Sequence, residues 1–345
     1  MEFSTLERLE ETALELVSPG RGILAADESH GTIGKRFKAV GIESTEETRR
    51  DYREMLFTTE GISEVLSGSI LFDETIRQDA SDGRPLVEVL KEAGVIPGIK
   101  VDGGAVAMPL SPDEKVTQGL DRLRERLQEY SDLGARFTKW RAVITIGPDI
   151  PTSACVEANA QSLARFAAHS QEAGLVPIVE PEVLIDGEHT IEECYETTLW
   201  TLNRTFHHLY EHNVELSGML LKPNMVISGK DAEEQAPVEE VAAMTVECLL
   251  RGVPAAVPGI VFLSGGQSDK QATAHLNAMN RMYEGLPWEL SFSYARALQE
   301  RPMETWAGKS ENVEAAQRAF RHRLKMNAAA RSGGYSEEME DESAA

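Results

Sequence analysis

Lys222 stands in an apolar run, between Leu220-Leu221 and Pro223. A lysine that is buried beside a second cation is pushed toward the free amine. That form attacks a carbonyl carbon and makes an imine. Lys139, in the run ARFTKWRAVITI, can be that second cation. In the run LVPIVEPE, Glu180 or Glu182 can move protons while a carbinolamine forms and loses water. Lys139 and Arg141 are two residues apart, as are Glu180 and Glu182, so on a strand each pair points to one face. The bland alternative for Lys222 is a side chain that snorkels out of a strand end.

Ser264-Gly265-Gly266, followed by a helix opening near Ser268, reads as a phosphate cradle. Glycine lets an anion approach the backbone N–H groups, and Arg296 can add a bidentate contact. A second cationic set, Ser29, Thr32, Lys35 and Arg36, lies downstream of the run GILAAD, and Lys100 can join it. Two phosphate sites flanking an imine-forming lysine suit a short sugar bisphosphate.

The elements that must position these groups are short apolar runs. Eight of them occur, starting at Gly22, Ser67, Val95, Ala135, Leu175, Gly218, Gly259 and Trp288. Most of the gaps carry a helical pattern. Ser4 with Glu7 forms a capping box for a helix over Thr5–Val17, which Pro19-Gly20 ends. Ser44 with Glu47 is a second box. Gly174 and Gly252 stop helices over Ser153–Ala173 and Val238–Arg251, and Ser268 caps Asp269–Met282. Alternation of this kind predicts an α/β fold, a single (β/α)8 TIM barrel over residues 1–330. A doubly wound sheet would need a glycine-rich nucleotide turn, and Gly22-Ile23-Leu24 is not GxGxxG. The acidic segment 331–345 is expected to be disordered.

In a barrel the chemistry sits at the C-terminal strand ends. Seven of the eight runs end in or near charge: Asp27, Asp73 and Glu74, Lys100, Lys139 with Arg141, Glu180 with Glu182, Lys222, and Arg296. One such residue reads equally well as a salt bridge closing the barrel. The set, with both signs converging, reads as an active site.

Composition removes other functions. The net charge of −23 over 345 residues argues against a nucleic-acid partner and a polybasic membrane anchor. No apolar stretch approaches the ~20 residues of a membrane span. The N-terminus lacks a signal-peptide pattern. The three cysteines, Cys155, Cys194 and Cys248, form no CxxC pair, so a reduced, cytoplasmic protein is expected. His207, His208 and His212 fall on a helix surface rather than in a zinc motif. No metal and no cofactor are expected.

Taken together the motifs resemble the class I fructose-bisphosphate aldolase family. The segments that carry the resemblance include GILAADES, SGSILFDET, GIKVDGG, FTKWRAV, VPIVEPE, LLKPNMV, FLSGGQS and WELSFSYARALQ, in family order over roughly residues 5–325. The resemblance implies a barrel, usually tetrameric, that reversibly cleaves fructose 1,6-bisphosphate to dihydroxyacetone phosphate and glyceraldehyde 3-phosphate without a metal. It assigns the Schiff base to Lys222 and charge stabilisation to Lys139, with Arg141 in the same strand. Glu180 becomes the acid/base, Glu182 a support for the lysine, and Asp27 an aid to carbon–carbon cleavage. Ser264, Gly265 and Arg296 match binders of one phosphate, and Ser29, Thr32, Lys35, Arg36 and Lys100 surround the other.

Some positions depart from the family's pattern. The last tyrosine is Tyr335, where animal members close on a terminal tyrosine. Thr145 and Thr32 replace a common lysine and a common serine, and His30 and Gly103 replace commoner residues near the sugar. Two competing readings are the same chemistry on sedoheptulose 1,7-bisphosphate and a non-catalytic sugar-phosphate-binding scaffold. The intact set Asp27, Lys139, Glu180 and Lys222 argues against the second.

Overall fold

The protein is described by a computed structural model covering residues 3–341. Ten strands occur among the described residues: β1 (Gly22–Ala26), β2 (Leu66–Leu71), β3 (Ile96–Lys100), β4 (Ala105–Met108), β5 (Ser111–Thr117), β6 (Phe137–Ile144), β7 (Val176–Val183), β8 (Leu220–Leu221), β9 (Gly259–Phe262) and β10 (Glu289–Tyr294). Eight of them close a barrel in the order β1-β10-β9-β8-β7-β6-β3-β2. Every neighbouring pair in it is parallel. Helices fill the connections, so the fold is the expected (β/α)8 barrel. No helix among the described residues is long and apolar enough to cross a membrane.

The strand period of two sorts the side chains. Ile23 and Ala25, Phe137, Val176 and Ile178, Leu220 and Val261 form an apolar cluster inside the barrel. Leu24 and Ala26, Trp140, Val179, Leu221 and Ile260 belong to the separate cluster beneath the helices. Continuing the inner row upward gives Asp27 on β1, Lys139 and Arg141 on β6, Glu180 and Glu182 on β7, and Lys222 after β8. The same face that is greasy at the bottom is therefore ionic at the top.

The bottom is solid. The N-terminal helix Phe3–Leu16 presses Leu9, Ala13 and Leu16, with Val17 beyond it, into the inner cluster. A Cβ added at Gly98 would lie 2.3 Å from the Phe137 ring, and one at Gly259 would lie 2.5 Å from Val17 Cγ1. Glycine is required at both positions by this close approach.

Several elements differ from the sequence expectation. The first helix starts at Phe3, so Ser4 and Glu7 lie within it instead of capping it. The second capping box is Thr45 with Thr48, one residue on from the expected pair. β2 stops at Leu71, and Asp73–Ile76 turns into a short helix. β8 has only two residues because Pro223, without an N–H, cannot extend the ladder. The chain still stays in place there: Lys222 N–H donates to Val179 O at 2.8 Å, and Pro223 O accepts from Leu263 N–H at 3.2 Å. The antiparallel β4–β5 hairpin is an addition that the polar run SPDEKVT did not announce.

The segment expected to be disordered from residue 331 is laid against the barrel's helices as far as Asp341. Tyr335 N–H donates to Asn277 Oδ1 at 2.9 Å, and Arg323 Nη1 donates to Glu340 Oε1 at 2.5 Å. Both Arg323 and Glu340 are buried. A pairing across the fold of this kind leaves no mark on local composition. Residues 342–345 lie outside the described residues.

Candidate active site

A cavity of about 1010 Å3 opens at the C-terminal ends of the barrel strands. Its walls carry Asp27, Lys139, Glu180 and Lys222, all less than a tenth exposed. Lys139 Nζ lies 2.6 Å from Asp27 Oδ2 and 3.4 Å from Glu180 Oε2. Lys222 Nζ lies 3.3 Å from Glu180 Oε1. Glu180 therefore bridges the two lysine nitrogens. Its Oε2 accepts no hydrogen bond despite the Lys139 contact, which leaves a lone pair for a guest.

Burial works against the charge of Lys139, but Asp27, Glu180 and Asp102 outweigh it and raise its pKa well above the ordinary range. Burial would likewise raise Asp27. Lys139, with Lys222 and Lys100, overcomes that and brings its pKa down to about 2. Lys139 is thus a fixed positive charge and Asp27 a fixed negative one, as the sequence reading of Lys139 as a neighbouring cation requires.

Arg141 Nε donates to Glu182 Oε2 at 2.5 Å, and both side chains line the cavity. Lys100 Nζ lies 2.6 Å from Asp102 Oδ1. Asp102 also accepts from the N–H groups of Gly104, at 3.1 Å, and Arg141, at 3.3 Å. On the β1 side, Ser29, Thr32 and Arg36 reach the cavity. Ser29 Oγ and Thr32 Oγ1 are 3.2 Å apart. Arg36 Nη1 donates to Glu28 Oε1 at 2.5 Å. Lys35 is exposed and is not part of the lining. One residue from Arg36, it is turned about 100° around the helix His30–Ala39. The expected Lys35 contribution to this pocket is therefore corrected.

Asp73 and Glu74, two of the charges expected at the barrel mouth, also fall outside the cavity. Asp73 accepts from Tyr130 at 2.8 Å and from Arg77, and Glu74 holds Arg49 and His30. For these two the salt-bridge reading is the right one.

Opposite, Ser264, Gly265 and Gly266 form a lip on the cavity. Gly265 and Gly266 have φ of 41° and 86°, left-handed values that favour glycine. The three amide N–H groups of this turn donate to no group among the described residues. The Arg296 side chain, at the first turn of the helix Arg296–Trp306, likewise has no partner among them. Free amides beside a free guanidinium make an anion site.

The turn is held from behind. His275, on the capped helix Asp269–Met282, makes a 2.6 Å hydrogen bond from Nδ1 to Gln267 Oε1. Burial depresses the His275 pKa from 6.5 to about 4. The folded state therefore keeps it neutral while the unfolded chain protonates below 6.5. Stability present above pH 6.5 is lost as pH falls toward 4, by about 3 kcal/mol for this group. His275→Gln is expected to flatten the pH dependence of chemical denaturation between pH 6.5 and 4. An unchanged slope would contradict the assignment.

Asp102, Glu28, Asp186, Lys230 and Ser293 also line the cavity and were not singled out from sequence. Asp102 was findable, because it follows Lys100 by two residues on the same inner row. Lys230 and Asp186 come from loops, which have no periodicity to betray them. No group of three or more His, Cys, Asp or Glu able to hold a metal occurs among the described residues. His208 pairs with Glu157 instead, at 2.7 Å.

Fold and site together define a barrel enzyme with a buried lysine and an anion cradle at the C-terminal ends of its strands. Residues 8–345 match the sequence profile of the family described as fructose-bisphosphate aldolase class-I. The chain belongs to that family. It is 58% identical over 330 residues to a probable fructose-bisphosphate aldolase class 1 of Xanthomonas campestris pv. campestris, covering 95% of this chain and 98% of the relative. It is 54% identical over 318 residues to cytosolic fructose-bisphosphate aldolase 6 of Arabidopsis thaliana, covering 92% and 88%. Its structure superposes with a TM-score of 0.96 on fructose-bisphosphate aldolase from Plasmodium falciparum, solved with TRAP and a small-molecule inhibitor. That pair is 46% identical, with 97% of each chain covered.

Proposed function

We propose that this protein reversibly cleaves fructose 1,6-bisphosphate to dihydroxyacetone phosphate and glyceraldehyde 3-phosphate through an imine on Lys222. The observation that carries the reading is the buried chain Lys222–Glu180–Lys139–Asp27, with an unclaimed anion cradle beside it. Lys222 passes a proton to Glu180, and the amine so freed adds to the C2 carbonyl. Glu180, 3.3 Å from that amine, delivers the proton with which the carbinolamine hydroxyl leaves as water. Asp27 accepts the C4 hydroxyl proton as the C3–C4 bond breaks, and the electron pair of that bond enters the iminium to give an enamine. A carboxylate with a pKa near 2 is a weak base, so substrate hydroxyls that compete for Lys139 raise its basicity at the moment of need. Protonation at C3 and hydrolysis then return the free lysine. Glu182 holds Arg141 at the wall.

Leu263 N–H is bonded to Pro223 O, directly after Lys222, so the Ser264–Gly266 turn begins beside the strand end that carries Lys222. That proximity supports reading it as the site of the C1 phosphate, on the carbon adjacent to C2. Ser29, Thr32, Arg36 and Lys100 face the C6 phosphate. A cytoplasmic homotetramer serving glycolysis or gluconeogenesis completes the proposal, in line with relatives named as cytosolic.

The test is borohydride trapping. The protein is incubated with dihydroxyacetone phosphate and EDTA, reduced, digested and mapped by mass spectrometry. A stable adduct on Lys222 is expected. An adduct on another lysine, or no adduct with activity that EDTA abolishes, would refute the imine assignment.

A further inference from the structure

The loops after β7 and β8 are stitched together beside the phosphate cradle. Lys230 N–H donates to Ile185 O at 2.8 Å, Gly229 N–H to His189 O at 2.8 Å and Asp231 N–H to Gly187 O at 3.0 Å. A Cβ on Gly229 would lie 2.3 Å from Gly187 O, so the stitch needs glycine there. It brings Lys230 and Asp186 to the cavity wall alongside Gly266 and Arg296. A Cβ on Gly266 would sit 2.8 Å from Ile185 Cγ2 and 3.8 Å from Arg296 Nη2. Loop, cradle and guanidinium are thus next to one another. Lys230 and Asp186 form an ion pair whose side chains are 52% and 58% exposed. The Asp186 hydrogen bond raises the Lys230 pKa, and the charge of Arg296 acts the other way.

Other cations of the cavity are tied differently. Lys100, Lys139 and Arg141 rest on Asp102, Asp27 and Glu182, whose side chains are at most 10% exposed. Pulling a cation off such a carboxylate strands a buried charge. Asp186 stands half in water, so Lys230 can leave it at little cost.

We propose that Lys230 is a second cation for the phosphate held at Ser264–Gly266, parked on Asp186 while the cradle is free and transferred to the phosphate when it arrives. The inference rests on the function proposed above. Phosphate monoester carries close to two negative charges at neutral pH, and Arg296 alone leaves part of that uncompensated. Asp186 then lowers affinity, because it competes with the phosphate for the same ammonium. The pair sets how strongly the enzyme distinguishes phosphorylated from unphosphorylated ketones.

The experiment titrates borohydride trapping at Lys222 against dihydroxyacetone phosphate and, separately, against dihydroxyacetone. Lys230→Gln is expected to raise the half-saturating concentration of the phosphorylated ketone about fivefold and leave dihydroxyacetone unchanged. Lys230→Arg is expected to restore it. Asp186→Asn is expected to lower it about twofold, the opposite sign, which simple loosening of the loops would not produce. Equal shifts for both ketones in Lys230→Gln, or shifts of the same sign in Lys230→Gln and Asp186→Asn, would overturn the proposal. Trapping of both ketones in the parent protein with no response to either variant would overturn it while sparing the functional reading. No adduct in the parent protein would remove that reading, and this inference with it.

Discussion

Lys222→Ala is expected to lose turnover by about five orders of magnitude while the barrel stays folded. The size of the loss follows from chemistry. Without the amine no imine forms, and the C3–C4 electron pair has no iminium to enter. Survival of the fold follows from the contacts. Lys222 is 3% exposed, but its ion-pair partner, Glu180, keeps Lys139 at 3.4 Å. The void left by the truncated chain opens onto an existing cavity, so it adds no sealed hole to the core. Steady-state cleavage assays, circular dichroism and borohydride trapping test the three parts. Residual activity above a hundredth of the parent, or an adduct formed at another lysine, would sink the assignment.

Lys139→Met should damage both activity and stability. Methionine keeps the length and removes the charge. Asp27, 8% exposed, then loses the partner at 2.6 Å that holds it ionised. Breaking a buried pair from one side costs about 3–5 kcal/mol. The pH dependence carries the sign. In the parent protein Asp27 is depressed from 3.8 to about 2, so its stabilising contribution is present above pH 3.8 and lost as pH falls toward 2. In the variant burial acts without that cation, and the Asp27 pKa moves upward. Protonation of Asp27 now relieves the fold, so its contribution to the variant's stability improves on acidification. The gap between the two proteins should be widest near pH 7 and narrow toward pH 4. Turnover should fall about a thousandfold, because a fixed charge beside the reacting carbons is lost. Denaturation at a series of pH values decides the matter. A variant as stable as the parent at pH 7, with the same slope, would mean that Lys139 does not hold Asp27.

The inner row of the barrel was legible because a strand repeats every two residues. Phe137, Lys139 and Arg141 announce in sequence that one face runs from grease to charge, and the structure keeps them in that order. The same rule extends from Lys100 to Asp102. Residues outside regular elements had no such signal. Lys35 looked equivalent to Arg36 by charge, yet a helix turns them apart. Asp73 and Glu74 looked like mouth residues because the apolar run ahead of them suggested a longer strand, whereas the chain turns into a helix at Asp73. The hairpin from Ala105 to Thr117 is stabilised by its own ladder and reads as polar loop. Tyr335 and Asn277, 58 residues apart in sequence, meet only in the folded chain.

The sealed floor of the barrel has a kinetic consequence. With Phe137, Leu16 and Val17 filling the lower end, nothing enters or departs through the floor of the barrel. Both fragments of the proposed reaction leave from the upper end of the barrel. In the proposed mechanism the aldehyde is freed when the carbon–carbon bond breaks, whereas the three-carbon ketone stays tethered until water reaches the imine. Departure is therefore sequential, aldehyde first. The solvent proton that ends up on the ketone must come down the same passage that the aldehyde has just vacated. Crowding that passage with added aldehyde should slow the exchange of the ketone's proton with heavy water, even though the chemistry at the lysine is untouched.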